Sequence, residues 1–209
     1  MDERVVRLIA ITDDMRDGRD GLAARAAAAV RGGATMVQLR LKHVPPRELV
    51  EVARALVRLL PVPVVVNDRL DVALAAGAAG AHLGADDVPV RAARAMAPAG
   101  FIIGASLGEE RELADARLAD YVGIGPLFGT QSKADAGPAL GAARFARLAT
   151  LAGRPAVAIG GVTLENAHLA VAAGACGIAV IRAVLAAPDP EGAARALRAA
   201  MGDELDVSP

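Results

Sequence analysis

Residues 36–67 read "MVQLRLKHVPPRELVEVARALVRLLPVPVVVN". The stretch opens on an apolar run at 36–41, passes through Pro45 and Pro46, and continues as "RELVEVARALVRLL", whose apolar residues recur at helical spacing. It closes on a second apolar run, "PVVVN" at 63–67. The two runs are near-continuous in apolar residues, as in strands buried on both faces, and a helix separates them. That is the mark of a parallel strand–helix–strand unit. One detail does not fit a purely buried strand. Gln38, Arg40 and Lys42 stand at every second position, so one face of the first run is polar.

The same unit recurs outward in both directions. Strands are expected at "VVRLIAIT" (5–12), "MVQLRL" (36–41), "PVVVN" (63–67) and "GAHLG" (80–84). Four more are expected at "FIIGAS" (101–106), "YVGIG" (121–125), "PAVAIGG" (155–161) and "GIAVIR" (177–182). Ala-, Arg- and Leu-rich helical segments lie between them, with Pro and Gly at the joins. Eight units over 209 residues, roughly 26 each, fit a single (β/α)8 TIM barrel better than the alternative, a doubly wound open sheet. We expect one domain over residues 1–209, with a loose polar tail from about 202. In such barrels the chemistry sits at the C-terminal ends of the strands. The polar row at 38, 40 and 42 climbs toward that mouth.

Composition narrows the function. The chain is 54% apolar and has no Trp, one Tyr and three Phe, so its core is aliphatic. A net charge of −1 supplies no general attraction for nucleic acid or for a membrane surface. One cysteine, Cys176, fits a reducing compartment. The N-terminus lacks an apolar signal region, and no run is long enough to span a bilayer. We expect a cytoplasmic enzyme acting on small molecules, with a homo-oligomer left open. There are 21 Arg but only two Lys, Lys42 and Lys133, and only two Gln, Gln38 and Gln131. All four fall where strands are expected to end at one face.

Those strand ends can be read in order. The second carries Gln38, Arg40 and Lys42; the third, Asn67, Asp68 and Arg69; the fourth, Asp86 and Asp87; the fifth, Ser106. The sixth runs into "GPLFGTQSKADAG", with Thr130, Gln131, Ser132 and Lys133. The seventh ends in Gly160 and Gly161, and the eighth near Ile181 and Arg182. Cations with neutral donors indicate anion recognition. Asp68 and Asp87 read either as helix caps and ion-pair partners, or as Mg²⁺ ligands acting with phosphate oxygens. Gly160 and Gly161 read either as close packing or as backbone donors at the usual phosphate site of this fold. His82 reads as a packed core residue, His43 and His168 as surface residues, and Cys176 as structural. No Ser-His-Asp, Cys-His or Cys/His metal pattern is present in the sequence.

"VQLRLK", "VNDRLDVALAAGAAGAHLGADD", "GIGPLFGTQSKADAG", "AIGGV" and "GIAVI", in this order, resemble the thiamine phosphate synthase family over about residues 5–200. The resemblance implies a (β/α)8 fold, Mg²⁺, and a transferase. The implied reaction condenses hydroxymethylpyrimidine diphosphate with hydroxyethylthiazole phosphate to give thiamine phosphate and pyrophosphate. It places Gln38, Arg40, Lys42 and Asn67 at the pyrimidine diphosphate, with Ser106 near the ring. It makes Asp68 and Asp87 the metal ligands and assigns Lys133, with Lys42, to the departing pyrophosphate. Thr130, Gln131, Ser132, Gly161, Ile181 and Arg182 fall to the thiazole phosphate. Three positions depart from the pattern: Leu41 for Glu, Ser132 for Thr, and Arg182 for Ser. A related thiazole tautomerase, or a non-catalytic thiamine phosphate-binding barrel, is the alternative. The tautomerase branch carries a His where this chain has Pro126.

Overall fold

The computed structural model describes residues 1–129 and 137–203. Eight parallel strands close on themselves in chain order, β1 to β8, and β8 pairs back onto β1. They are β1 Leu8–Ile11, β2 Met36–Leu39, β3 Val64–Asn67, β4 Gly80–Leu83, β5 Ile102–Leu107, β6 Tyr121–Ile124, β7 Ala156–Ile159 and β8 Gly177–Val180. Outside them run α1 Gly18–Arg31, α2 Pro46–Leu59, α3 Leu70–Ala76, α4 Val90–Met96, α5 Leu113–Ala116, α6 Gly141–Ala152, α7 Ala167–Ala172, α8 Arg182–Leu185 and α9 Pro190–Ala200. The expected (β/α)8 barrel is the observed fold. The expected first strand was too long, because Glu3–Val6 form a 3-10 turn capped by Asp2.

Strand alternation divides the core into two bodies. Leu8, Ala10, Val37, Leu39, Val64, Val66, Ala81, Leu83, Val122, Ile124, Ile178 and Val180 point outward and pack under the helices. Ile9, Ile11, Met36, Val65, Tyr121, Val157 and Ala179 point inward and fill the barrel. α2 shows how a helix covers the outer face. Leu49, Val52, Ala53 and Leu56 are buried at spacings of three and four, and Pro46 occupies its first turn, where a missing N–H costs nothing. Full burial of each large aliphatic residue on such a face contributes about 1.5–3 kcal/mol.

The end of the described chain is tied down. The Arg7 guanidinium donates to both oxygens of Asp203, and to the carbonyls of Cys176 and Met201. Arg198 also donates to Asp203 and to the carbonyl of Gly33. These bonds join the residue before β1, the residue before β8 and the end of α9.

Candidate active site

Parity on each strand decides which polar residues reach the mouth. On β2, Gln38 shares the inward face with Met36 and is buried. Arg40 follows just beyond the strand. Its side chain pairs with Asp13, and its backbone N–H donates to Thr12 Oγ1 at 2.8 Å. Thr12 is fully buried and donates in turn to the Arg40 carbonyl, so the ends of β1 and β2 are fastened together. Leu41 turns outward into the helical layer, which makes its difference from the family pattern harmless to the site. Lys42 is exposed at the rim.

The two carboxylates come together, and neither caps a helix. Asp68 is the only non-glycine described residue in the left-handed region, with φ 64°. The cap of α3 is Arg69, and it makes no side-chain cap bond. Asp87 Oδ2 accepts the Gly84 N–H at 2.7 Å. The N-terminus of α4 is served instead by Asp115, which accepts from Val90 N–H at 2.7 Å and Arg91 N–H at 3.3 Å. Burial, followed by the charge of Asp87 and a hydrogen bond with it, pushes the Asp68 carboxyl up to about 6. Lys42 and Arg40 pull in the opposite direction, so both cations lie within electrostatic reach. Two neighbouring carboxyls of this kind are a pair of hard oxygen donors of the type a divalent cation takes. Among the described residues, no group of three or more His, Cys, Asp or Glu gathers. Two carboxylates alone supply only part of a divalent cation's coordination shell, so a metal held here would need substrate oxygens or water to complete it. Asp86 is exposed beside the pair.

The opposite side of the mouth is built from backbone. Gly160 and Gly161 have φ of 88° and 67°. A Cβ on Gly160 would fall 2.5 Å from Pro126 Cβ, and one on Gly161 would fall 2.4 Å from the Gly129 carbonyl oxygen. Their close approach is thus to the loop leaving β6, not to a helix. Leu127 and Phe128 N–H groups donate to Ile159 and Gly160 carbonyls, at 2.8 and 3.0 Å, and lay that loop against β7. Asn166 holds the next turn through Gly161 and Thr163. Ile181 precedes α8, and Arg182 opens it with an exposed side chain. Both border a cavity of about 120 Å³ beside Thr12, Asp13 and Arg25. Thr130, Gln131, Ser132 and Lys133 lie outside the described residues.

His82 is buried, as the sequence reading of a packed core residue expected; Tyr121 beside it was given no role from the sequence. Both point into the barrel, and both are hydrogen-bonded. His82 Nδ1 is 3.0 Å from the Tyr121 hydroxyl, and Nε2 is 3.2 Å from Ser106 Oγ. The signal available in the sequence was parity: His82 is one residue past Ala81, an outward position, so it had to face inward. His43 and His168 are exposed. Cys176 donates its S–H to the Ala156 carbonyl at the other end of the barrel, and burial pushes its thiol up to about 11, away from reactivity.

The family model for thiamine monophosphate synthase matches residues 8–184. The chain belongs to this family. A thiamine-phosphate synthase of Roseiflexus sp. (strain RS-1) is 45% identical over 201 residues, covering 94% of this chain and 85% of the relative. One of Azorhizobium caulinodans is 46% identical over 196 residues, covering 91% and 92%. A solved thiamine phosphate pyrophosphorylase from Pyrococcus furiosus superposes with a TM-score of 0.82 at 36% identity, over 96% of this chain and 97% of that one. A 3-hexulose-6-phosphate synthase superposes with a TM-score of 0.68 at 20% identity and shares the fold alone. The thiamine monophosphate synthase match spans all eight strands, so every strand end described above lies within it.

Proposed function

We propose that this protein is the transferase that condenses hydroxymethylpyrimidine diphosphate with hydroxyethylthiazole phosphate, giving thiamine phosphate and pyrophosphate. One observation carries the reading beyond family membership. Two neighbouring carboxyl groups, Asp68 and Asp87, lie within electrostatic reach of Arg40 and Lys42 at the barrel mouth. This arrangement has both signs of charge that a metal-bound diphosphate requires.

Asp68 and Asp87 would hold Mg²⁺, whose contribution when bound is to neutralise charge on the leaving pyrophosphate. Arg40 and Lys42 bind the same diphosphate from the rim, and Lys133 is assigned to it as well. Gln38, Asn67 and Ser106 line the floor that receives the ring. The bond between the methylene carbon and the diphosphate oxygen breaks, and its electron pair leaves with pyrophosphate. The aminopyrimidine ring stabilises the resulting cation. The thiazole nitrogen then donates its lone pair to that carbon, which completes thiamine phosphate. No side-chain nucleophile takes part. The cationic groups act where charge develops, so they lower the barrier more than they strengthen ground-state binding. The thiazole phosphate is assigned to Gly161, Ile181 and Arg182, with Thr130, Gln131 and Ser132. Two phosphorylated substrates that do not cross membranes unaided fit a cytoplasmic enzyme, and no described helix is long and apolar enough to span a bilayer.

The test is to mix both substrates with the purified protein, with and without Mg²⁺, and to measure thiamine phosphate. Product that depends on both substrates and on Mg²⁺ is expected. No product with all three present would overturn the proposal.

A further inference from the structure

The end of β1 holds the end of β2 at two points. Ile11 stands level with Gln38 in the barrel register, so two residues further on Asp13 stands level with Arg40. Both strands have ended by then, at Ile11 and Leu39, and the Thr12 side chain carries the pairing on. Its hydroxyl accepts the Arg40 N–H at 2.8 Å and donates to the Arg40 carbonyl at 3.2 Å. Thr12 is fully buried, so water does not compete for this joint. Asp13 then takes the side chain, its carboxylate accepting from Arg40 Nη1. Arg40 is thus fixed at both ends, its backbone by Thr12 and its guanidinium by Asp13.

An arginine at a barrel rim is ordinarily free to sample many rotamers. The side chain of Arg40 is only 13% exposed. Among the described residues, Asp13 is the one hydrogen-bond partner of its guanidinium. A guanidinium carries five N–H donors in a planar fork, so most of them remain uncommitted. Asp13 acts on an incoming anion in two opposed ways. Its negative charge weakens the attraction of Arg40 for the anion, and its grip removes the cost of ordering the side chain. The carboxylate is 40% exposed, so water screens its charge. The ordering cost falls in full on an arginine that nothing holds. Orientation therefore outweighs charge. An arginine released from Asp13 also has another acceptor within electrostatic reach, the Asp68 carboxyl. There it would neutralise the pair proposed to hold the metal.

We infer that Asp13 is a positioning residue, which holds the Arg40 guanidinium off the Asp68 and Asp87 carboxyls and keeps its uncommitted N–H groups ready for a diphosphate. The naming of the anion rests on the transferase reading; the hold of Asp13 on Arg40 does not.

The probe is inorganic pyrophosphate with Mg²⁺, titrated into the purified protein by calorimetry. Asp13→Ala should raise its Kd about tenfold. Asp13→Asn, whose Oδ1 still accepts from Nη1, should stay within about threefold of the wild type. In an Arg40→Gln background, Asp13→Ala should change Kd by less than about twofold, since a residue that acts through Arg40 has nothing left to act on. In turnover, Asp13→Ala should lower kcat/KM for the pyrimidine diphosphate about tenfold and leave KM for thiazole phosphate within about twofold. An Asp13→Ala protein that binds pyrophosphate as well as the wild type or better would overturn the inference. So would an equal loss with and without Arg40, or a wild type that does not bind pyrophosphate. Asp13 is exposed, so the variants should fold. Where circular dichroism shows that Asp13→Ala has not, Asp13→Leu, of similar length and without an acceptor, takes its place. A wild type that binds pyrophosphate and shows the expected dependence on Asp13, yet forms no thiamine phosphate, would overturn the transferase reading and leave the role of Asp13 standing.

Discussion

Asp68 and Asp87 illustrate how much one residue's surroundings decide. Each follows a strand and precedes a helix, the ordinary place for a cap, yet the helix N–H groups beside Asp87 are taken by Asp115 and the chain turns left-handed at Asp68. Asp87→Asn keeps an acceptor for the Gly84 N–H and should fold normally. Its kcat at saturating Mg²⁺ should fall about 10²-fold or more, because an interaction made mainly in the transition state is lost. Steady-state rates beside a thermal melt check this, and near-normal kcat would leave Asp87 a local turn residue. Asp68 predicts a pH effect. Its carboxyl gives up its proton near 6 when folded and near 3.8 when unfolded. Between those values the folded state holds the extra proton, so this group makes the protein less stable as pH rises through the window. In chelator-treated protein, Asp68→Asn should remove that decline. The difference in urea midpoint between variant and wild type should grow in the variant's favour from pH 3.8 to 6. A difference that stays flat across the window would show that neither burial nor Asp87 raises the Asp68 carboxyl.

At the scale of elements, the proposed function assigns the thiazole phosphate to the joint between the β6 loop and the end of β7, with the short helix α8. Gly161→Ala forces an L-residue to φ 67° and drives a Cβ to 2.4 Å from the Gly129 backbone carbonyl. The variant should lose more than about 1 kcal/mol of stability. The displaced loop should also raise KM for thiazole phosphate at least tenfold while KM for the pyrimidine diphosphate changes little. Equal effects on both substrates would mean that the loop does not divide the site in this way. Arg182, at the first position of α8, has an exposed side chain where the family pattern has a small hydroxyl residue. Arg182→Ser should change KM for thiazole phosphate by less than about threefold, under roughly 0.7 kcal/mol. A tenfold rise would show that the guanidinium binds the phosphate itself.

For the whole molecule, closure is the controlling feature, since β1 must meet β8 across nearly the full length of the chain. Asp203 fastens that seam by accepting from Arg7 and Arg198. Burial alone would raise its pKa, but the two guanidinium groups outweigh burial and hold it below the usual 3.8. The stability it adds is therefore present above 3.8 and fades as pH falls through the lower folded value. Asp203→Ala should cost about 1–3 kcal/mol near neutral pH, between the values for exposed and buried ion pairs. Urea unfolding should show the gap narrowing in acid, with kcat unchanged because the seam lies far from the mouth. A gap that does not depend on pH would assign the loss to packing.

The sequence by itself determined the eight strands, their parallel order and the face that carries the site. Apolar runs, helical spacing and punctuation are local signals, and eight repeats admit few closures. It also placed Gln38, Arg40, Lys42, Asp68, Asp87, Ser106 and Gly161 at strand ends. What each side chain touches was decided only by the tertiary structure. Asp115 comes from 25 residues away to take the helix N–H groups that would have occupied Asp87. Asp13 reaches Arg40 from another strand end. His82 meets Tyr121, 39 residues on, because β4 and β6 both send alternate side chains into the same interior and Gly104, on the strand between them, leaves the gap. Periodicity along a chain fixes the direction in which a side chain points. The partner it meets there depends on the curvature and register of the closed sheet, which no single segment encodes.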